Sequence, residues 1–164
     1  MVSNVLGTDI LEKRFGRVHP KILFQSPLER VSLMITKNGK VVAYNIVTFE
    51  ETLYFPKIHA EILSGKSIGK TLRKHNLDVE RVEKCMFRYD FPKKLQDIFG
   101  SHNCSGFVKY VELLTTLNDK YQLKYATIVE IYSPHIDFIP VKSNKGLVGV
   151  VRSILGGHFR GNHD

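Results

Sequence analysis

Arg30-Val-Ser-Leu-Met-Ile-Thr36, the dipeptide Asn38-Gly39 and the run Val41 to Phe49 decide how this chain folds. The first run alternates strictly, with Val31, Leu33 and Ile35 on one face and Arg30, Ser32 and Met34 on the other. A period of two residues is the signature of a β-strand. Asn-Gly between two such runs is a strong short-range hairpin signal, so two antiparallel strands are predicted here.

Working outward, Pro56 to Leu63 reads as a short helix, with proline in its first turn and Gly65 just beyond its end. Ser67 is the candidate N-cap of a second, basic helix over Ile68 to His75. Val79 to Tyr89 reads as a strand, and Phe91 to Phe99 as a helix begun by Pro92 and ended at Gly100. A long antiparallel pair follows, Gly106 to Leu117 and Gln122 to Tyr132, joined through Asn118-Asp119-Lys120 and closed by Ser133-Pro134. Gly146 to Leu155 is patterned as a helix or a strand, and residues 156–164 read as a flexible tail. The predicted class is α+β: one domain over residues 1–155, built on an antiparallel sheet with one face covered by helices.

Composition sets outer limits. The 164 residues support one domain with a core and leave no room for two full ones. A 43% hydrophobic and 24% charged chain excludes disordered, collagen-like and low-complexity classes. With 24 basic against 16 acidic residues, the formal charge is +8, which points to an anionic partner without choosing its kind. Cys85 and Cys104 are too few for a disulfide framework and too far apart for a CxxC motif, as expected of reduced thiols. No apolar run reaches the ~20 residues of a membrane span, and Met1 to Asn4 shows no secretory signal. The sequence reads as soluble and cytoplasmic.

Three motifs invite functional readings that the residues do not sustain. Ala60-Glu-Ile-Leu-Ser-Gly65-Lys66-Ser67 satisfies a relaxed Walker A pattern. A phosphate-cradling loop must leave a strand and enter a helix, whereas residues 60–63 are predicted helical and Glu61 would face the phosphates. His102 and Cys104 are two apart, with His158 and His163 in the tail, but no paired spacing of a structural zinc site occurs, and no metal is expected. Lys66, Lys70, Arg73, Lys74 and His75 concentrate basic charge without any helix-turn-helix, RNP, KH or zinc-finger signature. They read as a solvated face, and no nucleic-acid partner is expected.

Glu130 is the more informative residue. It sits within Thr127-Ile-Val-Glu-Ile-Tyr132, and alternation puts it on one face with Ile128 and Ala126. A carboxylate among β-branched neighbours lies exposed between them or is held in a pocket with a partner. Arg30 is the matching oddity, a guanidinium opening an apolar strand. The two form a structural ion pair or edge charges, or else they mark a pocket with an arginine fork for a ligand carboxylate and a glutamate for its hydroxyl.

The succession of Thr8-Asp-Ile-Leu-Glu-Lys-Arg14, Glu29-Arg30 before a hairpin, Leu63-Ser-Gly-Lys-Ser-Ile-Gly69 and Val129-Glu130-Ile-Tyr-Ser-Pro134 resembles chorismate pyruvate-lyase. That family also takes in the effector-sensing (UTRA) domains of bacterial repressors and small stand-alone relatives. The resemblance covers roughly residues 8–135. It implies a six-stranded antiparallel sheet with helical flaps over a buried ligand, and removal of pyruvate from chorismate to leave 4-hydroxybenzoate, without metal or organic cofactor. By position, Arg30 would bind the ring carboxylate and Glu130 the hydroxyl at the other end. Leu11 and Ile68 would sit where the family uses backbone groups in the two flaps, and Gly65 and Gly69 would serve flap geometry. Glu130 would act as general acid or as hydrogen-bond partner.

Three departures qualify those implications. The helix expected before the first flap is short or absent. Asn45 stands where the bacterial lyase has a further arginine, which weakens recognition of a second carboxylate unless Lys66 compensates. The segment Asp90 to Ser105 reads as an insertion, and the chain beyond Pro134 has no counterpart in the family. Two functions stay open: a chorismate lyase, and a non-catalytic module that binds a small aryl acid. The expected partner in either case is a small anionic aromatic or chorismate-like ligand.

Overall fold

Residues 2–3, 7–139 and 143–160 are described by a computed structural model of the chain. Six long strands form one antiparallel sheet: β2 (Val18–Gln25), β3 (Glu29–Thr36), β4 (Val41–Phe49), β5 (Val79–Asp90), β6 (Ser105–Leu117) and β7 (Tyr121–Tyr132). A two-residue strand, β1 (Val2–Ser3), adds to one edge, giving the order β1-β5-β6-β7-β4-β3-β2. The hairpin read from Asn38-Gly39 is present, but Gly39 alone takes the left-handed backbone, at φ +82°. The β6–β7 turn is the tighter one: Asn118 and Asp119 are both left-handed and Lys120 N–H donates to Leu117 O at 3.1 Å, a type I′ arrangement that matches strand twist.

Five α-helices accompany the sheet: α1 (Gly7–Phe15), α2 (Pro56–Leu63), α3 (Ile68–Lys74), α4 (Lys93–Phe99) and α5 (Lys145–Arg160). Proline opens α2 as predicted, and Gly100, left-handed at φ +67°, ends α4. Ser67 occupies the N-cap position of α3, although its side chain makes no capping bond.

The site depends on one crossover. In the sheet, β4 and β5 are separated by β7 and β6, so the chain from β4 to β5 must pass over both. It does so as α2 and α3, which lie on the face carrying Arg30 and Glu130. Phe55, Ile62, Ile68 and Leu72 pack there against Val47, Leu113 and Ile128. Leu11 of α1 packs beside them with Met34, Ala43 and Tyr132. The opposite face is covered as well: Leu95 of α4 and Val151 and Leu155 of α5 pack on Val31, Leu33, Val108 and Ile131.

Several expectations need correction. Helices cover both faces, because β3 and β7 bury side chains on each side. The ambiguous run near residue 150 is helical, and the helix continues through Gly156 to Arg160, so the domain does not give way to a tail at residue 156. Residues 161–164 lie outside the described residues. The first flap is a nine-residue helix, α1, and β2 has no counterpart in the predicted elements. Asp90 to Ser105 carries α4, whose Leu95 is fully buried, so it belongs to the back layer of the core. Among the described residues, no helix is long and apolar enough to cross a membrane.

Candidate functional site

Alternation aims every second residue of the central strands at the flaps. Arg30, Ser32 and Met34 of β3, Ala43, Asn45 and Val47 of β4, and Ile128, Glu130 and Tyr132 of β7 floor a cavity of about 80 Å³. Its roof is Gly7, Thr8 and Leu11 of α1 with Ser67, Ile68 and Gly69 at the start of α3. That volume is several times the 10–15 Å³ a single water needs.

Arg30 marks one end. It is 2% exposed, and its three nitrogens all donate to neutral acceptors. Nε reaches Gln25 Oε1 at 2.7 Å, one terminal nitrogen reaches Lys66 O at 2.7 Å, and the other reaches Ile62 O. Gln25 in turn donates to Leu63 O. Arg30 and Gln25 thus collect the carbonyls at the C-terminus of α2, where the helix dipole favours a cation. No carboxylate pairs with Arg30 among the described residues. Burial lowers its pKa, the direction expected for a cation removed from water without a full counter-charge.

Glu130 marks the other end, and its partner is Arg81. Arg81 reaches from β5 across β6 to donate a hydrogen bond to Glu130 Oε2. Tyr132 Oη donates to the same oxygen at 2.7 Å. Glu83 approaches Arg81 at 3.6 Å and also holds Lys109 at 3.2 Å, whose ammonium lies 3.9 Å from the centre of the Phe138 ring. The result is a row of alternating charge, Glu130, Arg81, Glu83 and Lys109, in which only Glu83 is partly exposed. Burial alone would lower the Arg81 pKa, but Glu130 first, then Tyr132 and Glu83, move it upward overall. The Tyr132 hydroxyl is pushed well up by burial and by Glu130. Two atoms at this end are buried without a hydrogen-bond partner: Arg81 Nε and Asn45 Oδ1.

The roof touches this end directly. A Cβ built on Gly7 would stand 2.7 Å from Glu130 Oε1, so any larger residue there displaces either the start of α1 or the carboxylate. The mouth is laced by ion pairs between the flaps: Lys70 of α3 with Glu12 of α1 at 2.8 Å, and Arg73 with Asp9 at 3.1 Å. Lys66, Lys74 and His75 converge on Glu61. Two of the five basic residues thus tie α3 to α1 and three gather on Glu61 of α2, while all five side chains stay on the solvated surface.

Of the residues singled out in the sequence, Arg30, Glu130, Leu11, Ile68 and Asn45 all line the cavity. Arg30 and Glu130 do not pair with each other. Lys66 is misplaced by the sequence reading: its ammonium is exposed and bound to Glu61, and only its carbonyl, accepting from Arg30, serves the site. Arg81 is not among the residues the sequence singles out. Its signal lies in Val79-Glu-Arg-Val-Glu83, where alternation puts Arg81 on a face with Val79, as it does Arg30 with Met34. His158, assigned to a tail, lies in α5, with Nε2 2.7 Å from the Tyr44 hydroxyl. No group of three or more histidine, cysteine or acidic residues that could hold a metal ion occurs among the described residues.

The fold has counterparts in known structures. This chain aligns with the possible transcriptional regulator YydK from Bacillus subtilis with a TM-score of 0.56, over 85% of this chain and 67% of that one, at 14% identity. It shares the fold. The C-terminal domain of Yurk from the same organism aligns with a TM-score of 0.50, over 70% of this chain and 77% of that one, at 11% identity. No protein-family profile matches the chain, and no curated protein sequence matches it. The likeness is therefore one of fold, and the function has to be argued from the cavity.

Proposed function

We propose that the cavity binds one small carboxylate, an aryl acid held between α1 and α3, in a non-catalytic ligand-binding module. One observation carries this reading: a guanidinium 2% exposed lines the cavity with only neutral acceptors around it. A buried charge without a counter-charge is costly, and the partial negative end of a short helix, at most roughly half an elementary charge, compensates it incompletely. A ligand carboxylate completes the balance through the guanidinium protons that protein acceptors leave unused. The mainly apolar floor, with Met34, Val47 and Ile128, suits the flat face of a ring. The fold shared with two Bacillus chains, one of them described as a possible transcriptional regulator, supports a binding module over an enzyme.

A second reading keeps the activity implied by the resemblance, elimination of pyruvate from chorismate to give 4-hydroxybenzoate. Its support is the buried Glu130, with Arg81 and Tyr132 around it, at the end opposite Arg30. Arg30 would then hold the ring carboxylate, and Glu130 would orient or protonate the far end. One experiment separates the two. Purified protein is titrated calorimetrically with 4-hydroxybenzoate and benzoate, then incubated with chorismate while pyruvate is followed. Saturable aryl-acid binding without pyruvate supports the module. Pyruvate release that falls in the Glu130→Gln variant supports the lyase, and binding of neither acid together with no pyruvate overturns both.

A further inference from the structure

We infer that the cavity admits a single negative charge, and that the group at its Glu130 end must be neutral and both donate and accept a hydrogen bond. This rests on the carboxylate-binding reading above and sharpens it to a ligand class: monoanionic acids with a hydroxyl or amide at the far end, to the exclusion of dianions.

The argument is a balance of charge. The charged side chains lining the cavity are Arg30, Arg81 and Glu130. Arg81 is not available as a second anion site, because Glu130 and Glu83 already surround it. Glu83 is in turn matched by Lys109, so the row closes at zero net charge. Arg30 is left as the single uncompensated cation, and it sits at the opposite end. A second ligand carboxylate would have to stand beside Glu130, both being desolvated, with no free cation between them. Like charges in a buried site are strongly disfavoured.

The orphaned atoms say what belongs there instead. Arg81 Nε–H is a donor and Asn45 Oδ1 an acceptor, each buried and unpaired. Asn45 is the register partner of Glu130 and Arg81 is its hydrogen-bond donor, so both residues border that carboxylate. A hydroxyl or primary amide satisfies both at once, accepting from Arg81 and donating to Asn45. A carboxylate cannot donate and would leave Asn45 Oδ1 facing a second oxygen. An arginine at position 45 would reverse the selection by adding the missing cation.

The test uses two rings of equal size that differ by one charge, 4-carbamoylbenzoate and terephthalate, with 4-hydroxybenzoate as reference, titrated at pH 7 into the full chain and into Asn45→Arg. We expect 4-carbamoylbenzoate to bind at least tenfold more tightly than terephthalate, and Asn45→Arg to shrink or invert that ratio. Equal or tighter binding of terephthalate by the unaltered protein overturns the inference while leaving the carboxylate-binding reading intact. So does a ratio that a folded Asn45→Arg leaves unchanged, since the filter is then not charge. Binding of 4-hydroxybenzoate alone overturns it too, by making size the filter. Failure of all three acids overturns the carboxylate-binding reading itself.

Discussion

Arg30 and Glu130 share one face of the sheet and do not touch. Arg30 lies opposite Val47, Val47 opposite Ile128, and Glu130 two residues further along β7. Two strand spacings and two residues of rise put their Cα atoms about 12 Å apart. Each is bound elsewhere, Arg30 to the end of α2 and Glu130 to Arg81. The separation turns two buried charges into the two ends of a cavity, one positive and one balanced.

The Arg81–Glu130 pair sets the first prediction. Arg81→Met leaves Glu130 buried with only Tyr132 to donate to it, and should cost ~3–5 kcal/mol of stability. Glu130→Gln should cost less, because Glu83 continues to pair with Arg81. The double variant should be less destabilised than the sum of the two. Urea unfolding of the three variants measures all of this; additive effects would show that the pair is not coupled.

Gly7→Ala should lift the first flap. The added methyl meets Glu130 Oε1 at 2.7 Å, so either α1 or the carboxylate must move. A cost of ~1–3 kcal/mol is expected for such overpacking. Amide exchange across residues 7–15 should quicken while exchange in β6 and β7 stays as it was.

Much of this fold is legible in the sequence, because period-two alternation and turn chemistry act locally. The strands β3, β4, β5, β6 and β7 and the proline- and glycine-bounded α2 and α4 follow from such signals. The strand β2 does not, since Pro20 and a bulge between Ile22 and Phe24 break its alternation at a sheet edge. Position 156 reads as the start of a flexible tail because Gly156-Gly157 is a poor helix sequence; burial of Leu155 and the Tyr44–His158 bond hold the helix through it. The site was half legible. Arg30 and Glu130 stand out as charges in apolar strands, but pairing is a tertiary fact. No local pattern says that Glu130 takes Arg81 from a strand two places away, or that the Lys66 ammonium turns outward to Glu61.

The flap fastening should be weak and sensitive to salt. The pairs Lys70–Glu12 and Arg73–Asp9 are partly exposed, and such pairs contribute ~0.2–1 kcal/mol each. In the ligand-free protein, Lys70→Gln with Arg73→Gln should speed amide exchange in residues 7–15 and 68–74. Raising the ionic strength to about 1 M, where the screening length is about 3 Å, should reproduce much of that effect in the unaltered chain and add little to the variant. No change on mutation would place the fastening elsewhere.

His158 gives the pH dependence a sign. Burial first, then Lys94, lowers its folded pKa below 6.5. The unfolded chain therefore takes up a proton at a higher pH than the folded chain does. Its contribution to stability is complete above about pH 6.5 and is lost as pH falls through the depressed folded value. Denaturation midpoints measured from pH 7.5 to 5 should decline more steeply for the unaltered protein than for His158→Gln. The Tyr44 hydroxyl, pushed by burial to about 12, stays protonated throughout and keeps the bond to His158 available. Parallel profiles would show that His158 is not the titrating group.

The most direct measurement is calorimetric titration of 4-hydroxybenzoate into the unaltered chain, Arg30→Lys and Arg30→Met, each confirmed as folded by circular dichroism. If Arg30 is the one uncompensated cation of the cavity, Arg30→Met should lose binding by at least a hundredfold. Arg30→Lys should retain part of it, because a point charge remains while the fork is lost. Undiminished affinity in a folded Arg30→Met would contradict the account, for the carboxylate would then be held by something other than Arg30.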